Sequence, residues 1–96
     1  MDFLKEFLTD EDYNYVISSI TDLNKKYISD NYIRVKNVLD LLKEIGVNKM
    51  VGVFIYRVDL LLEEREELEK KLKDFEKDFI RFIIEEDIQN LIILGI

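Results

Sequence analysis

The chain has no histidine, no cysteine, no proline and no tryptophan, and its three glycines, Gly46, Gly52 and Gly95, stand apart from one another. Without imidazole or thiolate there are no ligands for the common zinc sites, no thiol nucleophile, no disulfide and no imidazole general base. Isolated glycines exclude a glycine-rich phosphate loop, and the acids fall at helical spacing rather than in a calcium-loop pattern. No run approaches the roughly 20 apolar residues of a membrane span. Met1 to Glu6 carries acids where a signal peptide carries bases. Cysteine-free composition also fits a reducing compartment. These absences predict a cytoplasmic, soluble, non-enzymatic domain with no metal, no cofactor, no small-molecule substrate and no membrane partner.

What is present is a single domain's worth of chain. The 96 residues are 48% apolar and 36% charged, with 21 acids against 14 bases and a net charge of -7. So short a chain supports one core, so residues 1–96 are read as one domain. Phe, Tyr, Met, Ile, Asn and Lys supply 42 residues, whereas Gly, Ala, Arg and Pro supply 7. That skew resembles the small open reading frames of crenarchaeal viruses and plasmids, and equally those of AT-rich bacteria.

The periodicity is mainly that of α-helix. Thr9 followed by Asp10-Glu11-Asp12 reads as an N-cap with acids at the positive end of a helix. Tyr13, Val16, Ile17, Ile20, Leu23 and Tyr27 then recur at three- and four-residue spacing, which predicts one amphipathic helix over residues 9–27. Asp2 to Leu8 reads as a short helix covering the same core. Ser29-Asp30-Asn31 marks a turn, and the β-branched stretch 32–35 predicts a short strand or bridge. A helix over 36–45 would turn Val38, Leu39, Leu41, Leu42 and Ile45 inward. Gly46 stands where a helix end needs a left-handed residue, Val47 is an apolar plug, and Asn48 is positioned to cap a second helix.

Two helices joined by so short a glycine-initiated turn describe a helix-turn-helix. The stretch from Tyr32-Ile33-Arg34-Val35 through Leu41-Leu42-Lys43-Glu44-Ile45-Gly46-Val47-Asn48-Lys49 resembles the winged-helix branch of that family. The resemblance spans about residues 32–58. It implies double-stranded DNA as partner, with Asn48, Lys49, Gly52, Val53 and Tyr56 facing outward on the second helix and Arg57 at its margin. Arg34 and Lys36 would hold the DNA backbone.

Residues 50–62 fit two templates. Val51, Val53 and Ile55 alternate as in a strand, while Val51, Phe54, Ile55, Val58, Leu61 and Leu62 form a helical stripe, and helix is favoured. From about Leu60, the positions Leu61, Leu68, Leu72, Phe75, Phe79 and Phe82 fit a seven-residue repeat, with Glu-to-Lys pairs four apart on the outer face. That predicts a long helix over about 60–82 serving as the coiled-coil interface of a homodimer. Residues 79–84 and 90–94 are two apolar runs rich in β-branched residues, read as a short terminal β-hairpin in preference to a helix.

Dividing the charge along the chain shows an asymmetry. Residues 25–58 hold seven bases against three acids, whereas residues 1–24 hold one against six and 59–78 hold five against nine. The one positive stretch coincides with the helix-turn-helix, as contact with phosphates requires. The expected function is therefore a dimeric DNA-binding protein acting in transcription regulation or plasmid or virus DNA binding. The alternative is a helical protein-protein adaptor, or an acidic host-interaction protein, with no nucleic-acid role.

Overall fold

A computed structural model describes residues 1–96, and the chain is mainly helical with no strand. Its seven α-helices are α1 (Asp10–Ser19), α2 (Asp22–Asp30), α3 (Tyr32–Ile45), α4 (Val51–Tyr56), α5 (Val58–Leu61), α6 (Arg65–Leu72) and α7 (Lys77–Glu86). A 3-10 segment lies at each end, Asp2–Glu6 and Ile88–Leu94. No helix is long and apolar enough to cross a membrane.

Several boundaries follow from local chemistry already visible in the sequence. Thr9 caps α1 by accepting a hydrogen bond from the Asp12 N–H at 3.1 Å. Gly46 ends α3 with φ +101°, a left-handed conformation that glycine adopts without a Cβ clash. Val47 is buried behind it.

Other expectations are corrected. The helix expected over residues 9–27 is two helices, broken at Ile20 in extended conformation and restarted by Thr21, whose hydroxyl accepts from the Asn24 N–H at 3.1 Å. The break changes the buried face, so that Val16, Ile20 and Ile28 lie in the core while Leu23 and Tyr27 are exposed. Residues 32–35 form the first turn of α3 rather than a strand. Val35, Val38, Leu39 and Leu42 fall on one helical stripe and all are buried, and that burial outweighs the β-branched preference of the turn. Asn48 caps nothing, because α4 begins three residues later, with Met50 at its N-cap position.

The long helix over 60–82 is also absent. A straight helix of that length would measure about 34 Å, the full 33 Å of the molecule's longest axis. Instead the chain turns at Leu62–Glu64 and again at residues 73–76, and the stripe folds back onto α3. Leu61, Leu68 and Leu72 are thereby buried in the chain's own core. Where a terminal hairpin was expected, residues 79–96 continue α7 into the second 3-10 segment. Ile80, Ile83, Ile84, Ile88 and Leu91 are buried at spacings of three and four, which a helix satisfies and a strand does not.

The core reveals an internal repeat. Val38 and Leu68, Leu42 and Leu72, Met50 and Ile80, Val53 and Ile83, Phe54 and Ile84, Leu61 and Leu91 are six buried pairs, each separated by about thirty residues. The backbone repeats with them. Arg57 (φ −138°, ψ 48°) breaks the chain after α4, and Asp87 (φ −159°, ψ 71°) breaks it after α7; their N–H groups donate to the Val53 and Ile83 carbonyls. Two units of the same design, α3–α4–α5 and α6–α7–3-10, therefore stack side by side, α6 against α3 and α7 against α4. Such stacking is how repeat proteins bury faces that one unit cannot cover alone. Helices α1 and α2 cover the other side of the first unit, α1 on α4 and α2 on α3. All 25 buried residues are apolar.

Candidate functional site

The residues expected to meet DNA do not form a common outward face. Helix α4 has only six residues, and Val53 on it is fully buried. A Cβ added at Gly52 would lie 3.3 Å from the Ile88 side chain, so this face of α4 is packed against the second unit. Tyr56 is exposed, but the hollow beside Gly52 and Tyr56 is lined by Glu85, Glu86 and Asp87. The Asn48 and Lys49 N–H groups both donate to one oxygen of Glu85, at 2.6 and 3.3 Å. Three carboxylates thus stand where phosphates were expected, and like charge opposes their approach.

The positive stretch is largely neutralised within the chain. Lys25 lies 3.8 Å from Asp22, Lys26 is 3.0 Å from Asp30, Arg34 is 3.2 Å from Glu64, and Lys36 is 3.7 Å from Glu6. Arg34 also donates to the Leu62 carbonyl. Arg57 has the most partners: Nε and Nη2 donate to the two carboxylate oxygens of Asp59, and Nη2 also to the Ile96 carbonyl at 2.6 Å. Hydrogen bonding to this guanidinium, aided by its charge, holds the Asp59 carboxyl below its ordinary 3.8 against the opposing effect of partial burial. Lys43 lies over the Phe7 ring, leaving Lys49 as the base of this stretch with neither an ion pair nor an aromatic partner.

The largest concavity lies elsewhere. Helices α6 and α7 both pack on α3. Between these three helices lies a cleft of about 660 Å³ whose apolar lining is Leu41, Ile45, Leu72, Phe75 and Ile80. Glu66 and Glu69 stand along the first two turns of α6, with Glu44 facing them from α3. Lys70, Lys73 and Lys77 follow toward the start of α7. Arg65 anchors the acidic end by donating to Glu44 at 2.8 Å, a bond that holds the guanidinium still more firmly protonated. The cleft therefore has an apolar floor and a rim whose charge changes sign along its length.

The expected dimer residues divide along this cleft. Leu61 and Leu68 are core, Leu72 and Phe75 form part of its floor, and Phe79 and Phe82 emerge on the surface of α7 with exposures of 47% and 64%. Phe75 and Phe79 are in contact, with ring centroids 6.3 Å apart. Sequence reasoning singled out the aromatic residues but missed the cleft. Its walls come from segments about thirty residues apart, and the only sequence signal for their juxtaposition is the repeat itself. No group of three or more carboxylates is placed to hold a metal ion. Neither a protein-family model nor a curated protein nor a solved structure matches the chain.

Proposed function

We propose that the chain is a non-enzymatic helical-repeat module that binds another protein through the cleft between α3, α6 and α7. The observation that carries this reading is the cleft itself, where half-buried Ile45 and Phe75 lie over the buried Leu41, Leu72 and Ile80 and the rim runs from Glu44, Glu66 and Glu69 to Lys70, Lys73 and Lys77. A floor of this kind supplies the hydrophobic contact of an interface, and the graded rim fixes the direction in which a partner segment lies. An amphipathic helix with its own basic and acidic ends in complementary order fits both features.

The winged-helix DNA reading has less support. It needs an exposed recognition helix and unpaired bases, whereas Val53 is buried, Gly52 is packed against Ile88, and Arg34, Lys36 and Arg57 are engaged in ion pairs. The two readings separate in one pair of experiments. A photo-crosslinking residue introduced at Lys73 or Glu69 should capture a discrete protein adduct in cells that the same probe at Asp22, outside the cleft, does not. Fluorescence anisotropy with pooled random duplexes at low salt should show no saturable binding. Equal labelling from all three positions, or saturable DNA binding lost in Lys49→Glu, would overturn the proposal.

A further inference from the structure

Corresponding sides of the two units differ in what covers them. On α3, Tyr32, Lys36, Leu39 and Lys43 share one side, because Lys36, Leu39 and Lys43 fall four, seven and eleven residues after Tyr32. The N-terminal 3-10 segment and the two residues after it lie along that side. Phe3 meets Tyr32 with ring centroids 6.0 Å apart, Glu6 is 3.7 Å from Lys36, and the Phe7 ring lies beneath Lys43 at 5.9 Å. Lys5, over the Tyr13 ring at 5.0 Å, ties the same segment to α1. Leu4, Phe7, Leu8 and Leu39 are all buried.

Thirty residues on, this side of α6 carries Glu66, Glu69 and Lys73, and all three line the cleft together with Leu41, Glu44 and Ile45 of α3. The cleft is thus the second unit's counterpart of the space that residues 3–8 fill in the first. Its apolar lining corresponds too, since Leu72, Phe75 and Ile80 stand thirty residues after Leu42, Ile45 and Met50. The charge differs: Glu66 takes the place of Lys36, and Glu69 that of Leu39. Neither acid forms an ion pair within the chain, nor does Lys73, whereas Lys70 is 3.6 Å from Glu67 and Glu44 is held by Arg65. Asp74, Glu76 and Asp78 do not line the cleft.

We propose, resting on the reading of the cleft as a protein-binding site, that it receives a short helical segment of another protein built like residues 3–8. That segment has apolar residues at the places of Leu4, Phe7 and Leu8, and a lysine or arginine at the place of Glu6. Its basic side chain meets Glu66 and Glu69 as Glu6 meets Lys36, and its aromatic ring lies beneath Lys73 as Phe7 lies beneath Lys43. Like charge opposes a second copy of the chain as the occupant, because its N-terminal segment would set Glu6 against Glu66 and Glu69.

Two labelled peptides supply the test, one copying Met1–Thr9 and the other copying it with Glu6→Lys. Fluorescence anisotropy at low salt should show saturable binding of the Glu6→Lys peptide, and binding of the unaltered peptide about tenfold weaker. Glu66→Lys with Glu69→Lys in the protein should reverse that order. Both glutamates are exposed, so an unchanged helical circular dichroism spectrum should accompany the reversal. Amide chemical shifts perturbed by the peptide should cluster at residues 41–45, 66–73 and 77–80. Failure of the Glu6→Lys peptide to saturate at millimolar concentration overturns the proposal. So do equal affinities for the two peptides, an order that survives the double substitution, or shifts centred on Phe79 and Phe82. A chain that refuses both peptides while its cleft probes still capture a discrete protein overturns this partner's character and leaves the protein-binding reading standing.

Discussion

The Asn48 N–H donates to the Glu85 carboxylate at 2.6 Å, and the neighbouring Lys49 N–H reaches the same oxygen at 3.3 Å. Glu85 belongs to the second unit and the two N–H groups to the turn that precedes α4 in the first. One carboxylate therefore satisfies two backbone donors in the turn just before α4, a helix that has no side-chain cap of its own. It also joins the two units by a charge-assisted contact, stronger than a neutral one.

Glu85→Ala should accordingly destabilise the fold by about 2 kcal/mol, the usual scale for a hydrogen bond to a charged group whose partners are left unmade. Glu85→Gln keeps an acceptor and should lose about half as much. Urea denaturation followed by circular dichroism checks both; equal loss in the two variants would show that charge, not acceptance, is what matters.

At Gly52 the repeat makes a directional prediction. A Cβ there lies 3.3 Å from the Ile88 methyl, so Gly52→Ala trades a gain in helix propensity of up to about 1 kcal/mol against a small displacement of Ile88 and should be near neutral. Gly52→Phe, which installs the residue found thirty positions later, must force the units apart and should cost about 3 kcal/mol. Thermal unfolding of the two variants distinguishes a packed interface from an open one.

Gly46 has φ +101°, so any side chain there is strained irrespective of the space around it. Gly46→Ala should cost about 1–2 kcal/mol. The chemical denaturation midpoint should fall with an unchanged slope, because the surface exposed on unfolding is the same.

The Arg57–Asp59 pair gives a pH dependence of definite sign. Because the folded-state pKa of Asp59 is lowered, the pair's stabilisation is present above the unfolded value of 3.8 and is lost as pH falls through the lower folded value. The carboxylate is largely exposed, so the effect is modest and screened by salt. The difference in melting temperature between the unaltered chain and Asp59→Asn should be constant from about pH 5 to 7 and shrink below about pH 4. A difference that does not shrink at all as the pH falls below about 4 would assign it to packing instead.

Leu72→Asp probes where the heptad stripe resides. Leu72 is 6% exposed within its own chain, so the substitution buries an unpaired carboxylate and should unfold the protein rather than merely separate a dimer. Loss of the circular dichroism signal together with the cooperative transition is the expected result; a folded monomer would place Leu72 at an interface instead.

Local signals in the chain were legible wherever a side chain itself makes the boundary. Thr9 caps α1 and Gly46 ends α3 as their chemistry predicts. Thr21, with Asp22 after it, carried the same signal, but an apolar spacing that runs through the break masked it. Turns at Glu64 and Glu76 left no trace. Each adopts an extended N-cap conformation without a side-chain cap bond, and glutamate is otherwise a good helix former. Charge counting likewise located the positive stretch without showing its partners, because Glu64 and Glu6 reach Arg34 and Lys36 from distant parts of the chain.

By itself, then, the sequence determined that this protein is helical, that it lacks imidazole and thiol chemistry, and which residues are apolar enough to be buried, since these depend on composition and on spacings within one turn or two. Tertiary structure decided which side of each helix faces inward, that residues 61–72 close the chain's own core while Phe79 and Phe82 remain outside, and that five of the seven bases in residues 25–58 are in ion pairs within the chain. Those outcomes depend on contacts between segments about thirty residues apart, where the free energy of stacking one unit on another outweighs the local preferences that a single stretch of sequence expresses.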